Sequence, residues 1–299
     1  MTDPLPTPQS SPMDSATGVE IELFTDPACP FGFAHEPVRR RLTWLYGDGL
    51  RWRPRMIVLA GSVAEMEARG LTPARLAHVR STVARRTGMP IASDGRQPLS
   101  PTRPAALAVV AARAFGQAAS DRLLRQLRVL AMSGRPIGER DTIAAAARSA
   151  RIDVAALLHR TRGAAGRREL QADMAAARHP SAAALALSHH LSLDPVVRYS
   201  APSCVLHGAG GGSFTVPGLQ SGPVYEAAIA NLAPGLARRD TPREALEVLR
   251  WAGEPLATAE VAAVMEVDHQ LARVELARVA HFSPVAADGY WSPRVGVHR

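Results

Sequence analysis

The apolar run Ile21-Glu22-Leu23-Phe24 ends in the turn Thr25-Asp26-Pro27-Ala28, and Cys29 follows where a helix should begin. The pattern predicts a strand over 19–26 and a helix over 30–46. Pro30 suits the first helical turn, where its missing N–H would have no partner anyway. Leu50 to Leu59 reads as a second strand, apolar at Trp52, Met56 and Val58 with arginines interleaved. Pro54 gives that strand an edge position or a bend, because proline cannot donate to a ladder. From 61 to 192 the pattern changes to helices with Ala and Leu at helical spacing, in pieces at 73–86, 102–116, 119–133, 139–150, 153–160 and 164–177. Ser100-Pro101-Thr102-Arg103-Pro104 breaks that series, with Thr102 or Ser100 as a cap. Strand signal returns at Ser203 to His207; the flexible Gly208 to Gly212 and the partner strand Ser213 to Val216 complete a hairpin before a helix at 220–232.

A second unit begins near residue 241. Thr241 caps, Pro242 takes the first helical position and Glu244 completes a capping box. Ala245, Leu246, Leu249 and Trp251 give this helix an apolar face, Thr258 to Ala262 opens a second, and Asp268 caps a third running to about Val279. Residues 281–293, with Gly289-Tyr290-Trp291, form a small β-wing. Three short helices and a wing predict a winged-helix-like module over 241–299. Residues 1–18, rich in Pro, Ser, Thr and Asp, read as a disordered tail rather than a signal peptide. No stretch approaches the ~20 apolar residues of a membrane span, so the chain is expected to be cytoplasmic without membrane partners.

Composition changes this picture in two places. The formal charge of +8 would ordinarily favour nucleic acid, but all 35 basic residues are arginine and alanine is abundant. That joint bias reads as a GC-rich coding background rather than a basic binding surface; the densest groups are Arg39-Arg40-Arg41 and Arg51 to Arg55. Two cysteines, Cys29 and Cys204, exclude a disulfide scaffold, and in a reducing compartment a reactive thiol is the more natural role.

Cys29 is the centre of the candidate chemistry. At a helix N-terminus, unpaired N–H groups and the dipole stabilise a thiolate, lowering its pKa from ~8.5 to between ~3.5 and ~7.5. The usual redox pair is C-x-x-C, and Gly32 stands at the second position, so the site has an attacking sulfur without a local resolving one. Exchange would then run through a mixed disulfide resolved by a second thiol molecule. Cys204 is expected in the core of a central strand, Asp26 as a turn or capping residue, and His35 as a solvated helix histidine. Arg39-Arg40-Arg41 is either a solvated helix face or a holder of a small thiol's carboxylates. His179 and His189-His190 lack metal-ligand company, and Gly208 to Gly212 lacks the Lys-Ser/Thr ending of a phosphate loop.

The strand followed by Cys-Pro-aromatic at 21–31, the helical insertion, Ala201-Pro202-Ser203, and Val216-Pro217-Gly218 with Gln220 before a helix resemble the DsbA-like branch of the thioredoxin superfamily, close to its FrnE-like cytoplasmic members. The resemblance covers about 19–233; 241–299 resembles winged-helix modules more loosely. It implies an α/β thioredoxin fold, built from 19–60 and 193–235, with a large helical insertion at 61–192. It also implies that Cys29 is the nucleophile, that Pro202 is a cis-proline packed beside the sulfur, and that Ala201 pairs with substrate through its backbone. Pro30 and Phe31 complete the substrate-binding set. Gly32 departs from the family pattern, which has a cysteine there. The resulting expectation is a monothiol thiol-disulfide oxidoreductase acting on a small thiol or a protein disulfide. No cofactor is tightly bound, and a low-molecular-weight thiol such as glutathione or mycothiol serves as co-substrate. Relatives resembling kappa-type glutathione transferases and hydroxychromene carboxylate isomerases supply a second reading. A regulator or scaffold using the winged module for DNA or protein supplies a third. Its third helix would offer His269, Gln270, Arg273 and Arg278 to DNA, interrupted by Asp268 and Glu275, and exposed apolar faces on the module would suit a homodimer.

Overall fold

In the chain's computed structural model, which describes residues 18–192 and 196–294, alternation of apolar and acidic positions sets the first strand of the central sheet. In β1 (Val19–Thr25), Val19, Ile21 and Leu23 point into one core while Glu20 and Glu22 face out. The strand leads through Cys29 into α1 (Pro30–Ala34) and α2 (Glu36–Tyr46), and then β2 (Leu50–Met56). β2 runs parallel to β1. Arg51 and Arg53 reach Glu20 across the pair, and Arg55 reaches Glu22, so the second arginine group is a cross-strand charge ladder. The expected continuous helix over 30–46 is instead two pieces meeting at His35. Pro37, in the first turn of α2, cannot donate the backbone bond that would join them.

The insertion contributes α3 (Val63–Ala68), α4 (Pro73–Thr87), α5 (Arg103–Ala112), α6 (Gln117–Met132), α7 (Arg140–Ser149), α8 (Val154–Arg162), α9 (Ala164–Ala177) and α10 (Ala182–Ala186). It packs around the nearly all-buried α5, whose small alanines let neighbouring helices approach closely. The short β3 (Leu191–Ser192) and β4 (Arg198–Tyr199) pair with each other. β5 (Ser203–Gly208) and β6 (Ser213–Pro217) form the Gly-rich hairpin, and α11 (Gly222–Leu232) follows. The four-stranded sheet has the order β2-β1-β5-β6, with β5 antiparallel to β1. Pro54 thus lies on an edge strand. This is an α/β thioredoxin-type sheet with extra helices between its halves.

The C-terminal elements are α12 (Ala245–Ala252), β7 (Leu256–Ala257), α13 (Thr258–Met265), α14 (His269–Val279), β8 (Ala280–Val285) and β9 (Asp288–Pro293), with sheet order β7-β9-β8. Asp268 caps α14 through Leu271 N. The capping box expected at Thr241 does not form, and α12 starts at Ala245. The preceding segment is drawn onto α2 instead: Asp240 O accepts from Trp44 Nε1 at 2.8 Å, and Arg239 N donates to Leu45 O at 2.7 Å. Trp44 and Leu45 share one core with Val248, Leu249, Val261 and Leu276. The residues of the expected tail other than Gly18 lie outside the described residues, as do 295–299.

Candidate active site

Cys29 is the N-cap residue of α1, extended in backbone and 4% exposed. Its Sγ accepts from Gly32 N at 3.4 Å and lies 3.3 Å from Ala201 O, to which the thiol donates. The Ala201–Pro202 peptide is cis. The first turn of α1 and the 200–202 loop therefore meet at the sulfur from opposite sides. Ala28, Cys29, Pro30, Phe31, Ser200 and Ala201 help line a cavity of about 360 Å³ to which α3 and α4 also contribute. Phe31 is 39% exposed at this rim, while Pro202 is buried behind Ala201.

The thiol does not have the low pKa expected from its place in the sequence. Burial pushes it up to about 11. The N–H groups of Gly32 and Phe31 and the charge of Arg128 work the other way, and Asp26 adds to the rise. The physical reason lies in the fold. α1 is only five residues long, so few peptide dipoles are aligned behind the sulfur, while desolvation acts in full. At neutral pH the resting sulfur is a protonated thiol.

Asp26 is fully buried and ties three segments together. It accepts from Ala28 N and Leu59 N at 2.8 Å each and from Thr102 Oγ1 at 2.7 Å. Burial raises its pKa in spite of these donors. Thr102 thus joins the insertion to the loop that leads into Cys29 as well as standing before α5.

Gly32 is a filled position rather than an empty one. A Cβ there would lie 2.8 Å from Thr25 Oγ1, 3.3 Å from Cys29 Cβ and 3.5 Å from the Arg128 guanidinium. Arg128 comes up from α6, donates to Thr25 Oγ1 and pairs with Glu36, all of them buried. Burial alone would raise the Glu36 carboxyl. The charges of Arg128, then Arg39, Arg125 and Arg40, outweigh it and hold the carboxyl well below the usual carboxylate range. Sequence reading missed this assembly. Its one visible signal was Arg128 itself, set on the apolar stripe of Leu124, Leu127 and Ala131.

Two further expectations, for His35 and for Arg39-Arg40-Arg41, are corrected. His35 is not solvated: it is 1% exposed, packed 5.2 Å from the Tyr225 ring and near Trp52, and burial lowers its pKa to about 3, leaving it neutral. Arg39-Arg40-Arg41 is neither a solvated face nor a small-thiol holder. Arg39 pairs with Asp121, Arg40 with Glu254 and Glu260, and Arg41 with Glu226 and Glu266. On α14, Arg273 and His269 face Asp288, and Arg278 pairs with Glu275, while Leu271 and Val274 stand exposed beside them. Carboxylates thus neutralise the groups that would have approached DNA phosphates. Cys204 is fully buried on β5 opposite Leu23, with Tyr225 OH 3.7 Å from its sulfur, and both cysteines are free.

A cysteine at the start of the helix that follows the first strand, opposed by a cis-proline loop on a β2-β1-β5-β6 sheet, defines a thioredoxin-type scaffold. Residues 23–181 match the Thioredoxin family profile, and the chain belongs to that family. Two solved structures share the fold. A protein disulfide isomerase candidate from Nitrosomonas europaea superposes with TM-score 0.52 at 14% identity, covering 72% of this chain and 95% of that one. A DsbA oxidoreductase candidate from Streptomyces coelicolor gives 0.52 at 16%, covering 76% and 93%. Among curated proteins, the ClpXP adapter protein SpxH of Halalkalibacterium halodurans is 31% identical over 148 residues. That match spans 46% of this chain and 46% of the curated protein, so the chain covers about half the length of this relative. No helix of the described residues is long and apolar enough to cross a membrane.

Proposed function

We propose that the chain is a cytoplasmic single-cysteine thiol oxidoreductase. The observation that carries this reading is the placement of Cys29 Sγ between Gly32 N and Ala201 O, with Cys29 in the lining of a cavity. Cys29 is the nucleophile. Pro30, Phe31, Ala201 and Pro202 shape the groove, with Ala201 offering its backbone to substrate. A substrate that takes the Ala201 carbonyl removes the acceptor of the thiol proton, which then passes to solvent base. The thiolate attacks a disulfide R–S–S–R′, forming the Cys29–S–S–R bond and releasing R′S⁻. A second low-molecular-weight thiolate, of the glutathione or mycothiol class, attacks that mixed disulfide and returns Cys29 as thiolate. With Gly32 packed against Thr25 and Arg128, resolution comes from outside the chain. In this reading 19–60 and 193–235 form the catalytic unit, 61–192 the cavity-building insertion, and 241–299 a winged-helix-like brace.

The test is iodoacetamide alkylation of Cys29 against pH, together with mass spectrometry of protein purified without reductant. The expected result is a rate that climbs about tenfold per pH unit without levelling off below pH ~10, as fits a raised thiol pKa, and a small-thiol adduct on Cys29. A Cys29 that stays unmodified in native protein at pH 10 overturns the proposal. The protonated thiol also favours a second reading, a binding protein of the adapter type named in the curated relative. In that case no small-thiol disulfide would be turned over, and native protein would carry no adduct.

A further inference from the structure

Arginines in the interior of this protein are matched almost systematically with acids: Arg40 and Arg125 with Glu260, Arg55 and Arg113 with Asp173, Arg128 with Glu36. Arg80, on α4, breaks the rule. It lines the cavity next to Cys29 and, among the described residues, has neither a hydrogen-bond acceptor nor an ion-pair partner. Burial is the one influence on its titration, and it disfavours the charge. A guanidinium stays protonated regardless, so the cavity carries an unmatched positive charge. Arg198, 8% exposed in the same wall, adds to it, donating to Tyr199 O with no carboxylate partner among the described residues. The lining also holds the apolar Met66, Leu71, Leu76, Val79 and Ile137, together with Arg69, Arg135 and Gln97. At about 360 Å³ it falls within the size of small-molecule pockets, roughly 300–1,000 Å³.

We propose that this cavity binds a small amphipathic anion, its apolar body against Met66, Leu71, Leu76, Val79 and Ile137 and its anionic end on Arg80. The assignment deepens the thiol reading by naming its substrate class: a molecule so held lies along the cavity with its far end toward Cys29. It rests on charge complementarity, since a largely apolar cavity with a partly buried, unpaired guanidinium in its wall is completed by an anion that also supplies apolar surface.

Isothermal titration calorimetry of the full chain with octanoate and with neutral octanamide tests it. Octanoate should bind about tenfold more tightly than octanamide, the size of one charge-assisted hydrogen bond. Arg80→Gln should bring the two ligands level, and Leu76→Trp, which fills the cavity, should abolish binding of both. Equal affinities in the unmodified chain, a preference that survives Arg80→Gln, binding that survives Leu76→Trp, or no binding at all overturns the assignment. Calorimetry reads binding without thiol chemistry. A Cys29 that fails every exchange assay therefore leaves a positive result standing, and absent octanoate binding leaves the alkylation result untouched.

Discussion

Cys29 and Cys204 are both free, both buried, and both hold their protons beyond the ordinary thiol range, yet their surroundings are opposites. Cys204 sits in the sheet core with Tyr225 OH 3.7 Å from its sulfur, and burial, eased slightly by that hydroxyl, pushes it up to about 12. Cys29 faces two backbone N–H groups, a carbonyl acceptor, a buried guanidinium and a cavity. Burial sets the resting protonation of each sulfur. What separates them is how much nearby can support a negative charge once water or substrate enters. Cys204 has the Tyr225 hydroxyl and the charges of Arg39 and Arg128, whereas Cys29 has two backbone N–H groups and the charge of Arg128, and opens on a cavity.

The largest way to break the contrast is to remove the charge beneath Cys29. Arg128→Leu strands Glu36 in the interior and should cost about 3–5 kcal/mol by denaturant unfolding. Tyr225→Phe beside Cys204 should cost no more than about 1 kcal/mol, since it loses a single contact to sulfur. Comparable losses would mean that the Arg128 pair does not hold up the site.

Next in size is the pH dependence. Both thiols have native pKa values above the ~8.5 of an unfolded cysteine. Their contribution is therefore complete below pH ~8.5 and is lost as pH rises toward 11 for Cys29 and 12 for Cys204, by about 1.4 kcal/mol for each pH unit crossed. Cys204→Ala should flatten the alkaline limb more than Cys29→Ala does. On the acid side the sign reverses. The lowered pKa of His35 means that stability present above pH ~6.5 is lost as pH falls toward 3, and the lowered carboxyl of Glu36 adds a further loss that starts only below pH ~4.3. A stability curve that is flat between pH 6.5 and 4 would contradict the burial of His35.

The smallest effect concerns the missing partner. Gly32→Ala should destabilise by about 1–3 kcal/mol through overpacking against Thr25. Gly32→Cys should for the same reason give no efficient dithiol in a thiol-disulfide exchange assay. Adding Thr25→Ala to Gly32→Ala should recover part of the loss, read by denaturant unfolding, by vacating the space that the new methyl group needs.

Much of the scaffold was legible because periodicity and punctuation carry it. The strand before Cys29, the helices of the insertion, the edge position of Pro54 and the Gly-rich hairpin all follow from local pattern. The failures are places where distant parts of the chain overrule that pattern. Thr241 has the chemistry of a cap, but Trp44 and Leu45 hold the adjoining backbone against α2. Three consecutive arginines look like a solvated or ligand-binding face until four glutamates and an aspartate from remote segments meet them. The Cys29 motif announces a thiolate, but the motif does not encode how deeply the insertion buries it. Thr25, Arg128 and Glu36 could not be grouped from spacing at all, since 92 positions separate Glu36 from Arg128.

The contact of α2 with α13 also bears on the order in which the molecule can be completed. Arg40 finds Glu260 across 220 positions of chain, so the helix just behind the cysteine lacks its counter-charges while a ribosome is still making the insertion. A nascent protein stalled before residue 241 would display Trp44 and Leu45 as a sticky surface, inviting a chaperone or a protease. The helix behind the thiol is thus braced by a segment made about 220 positions after it.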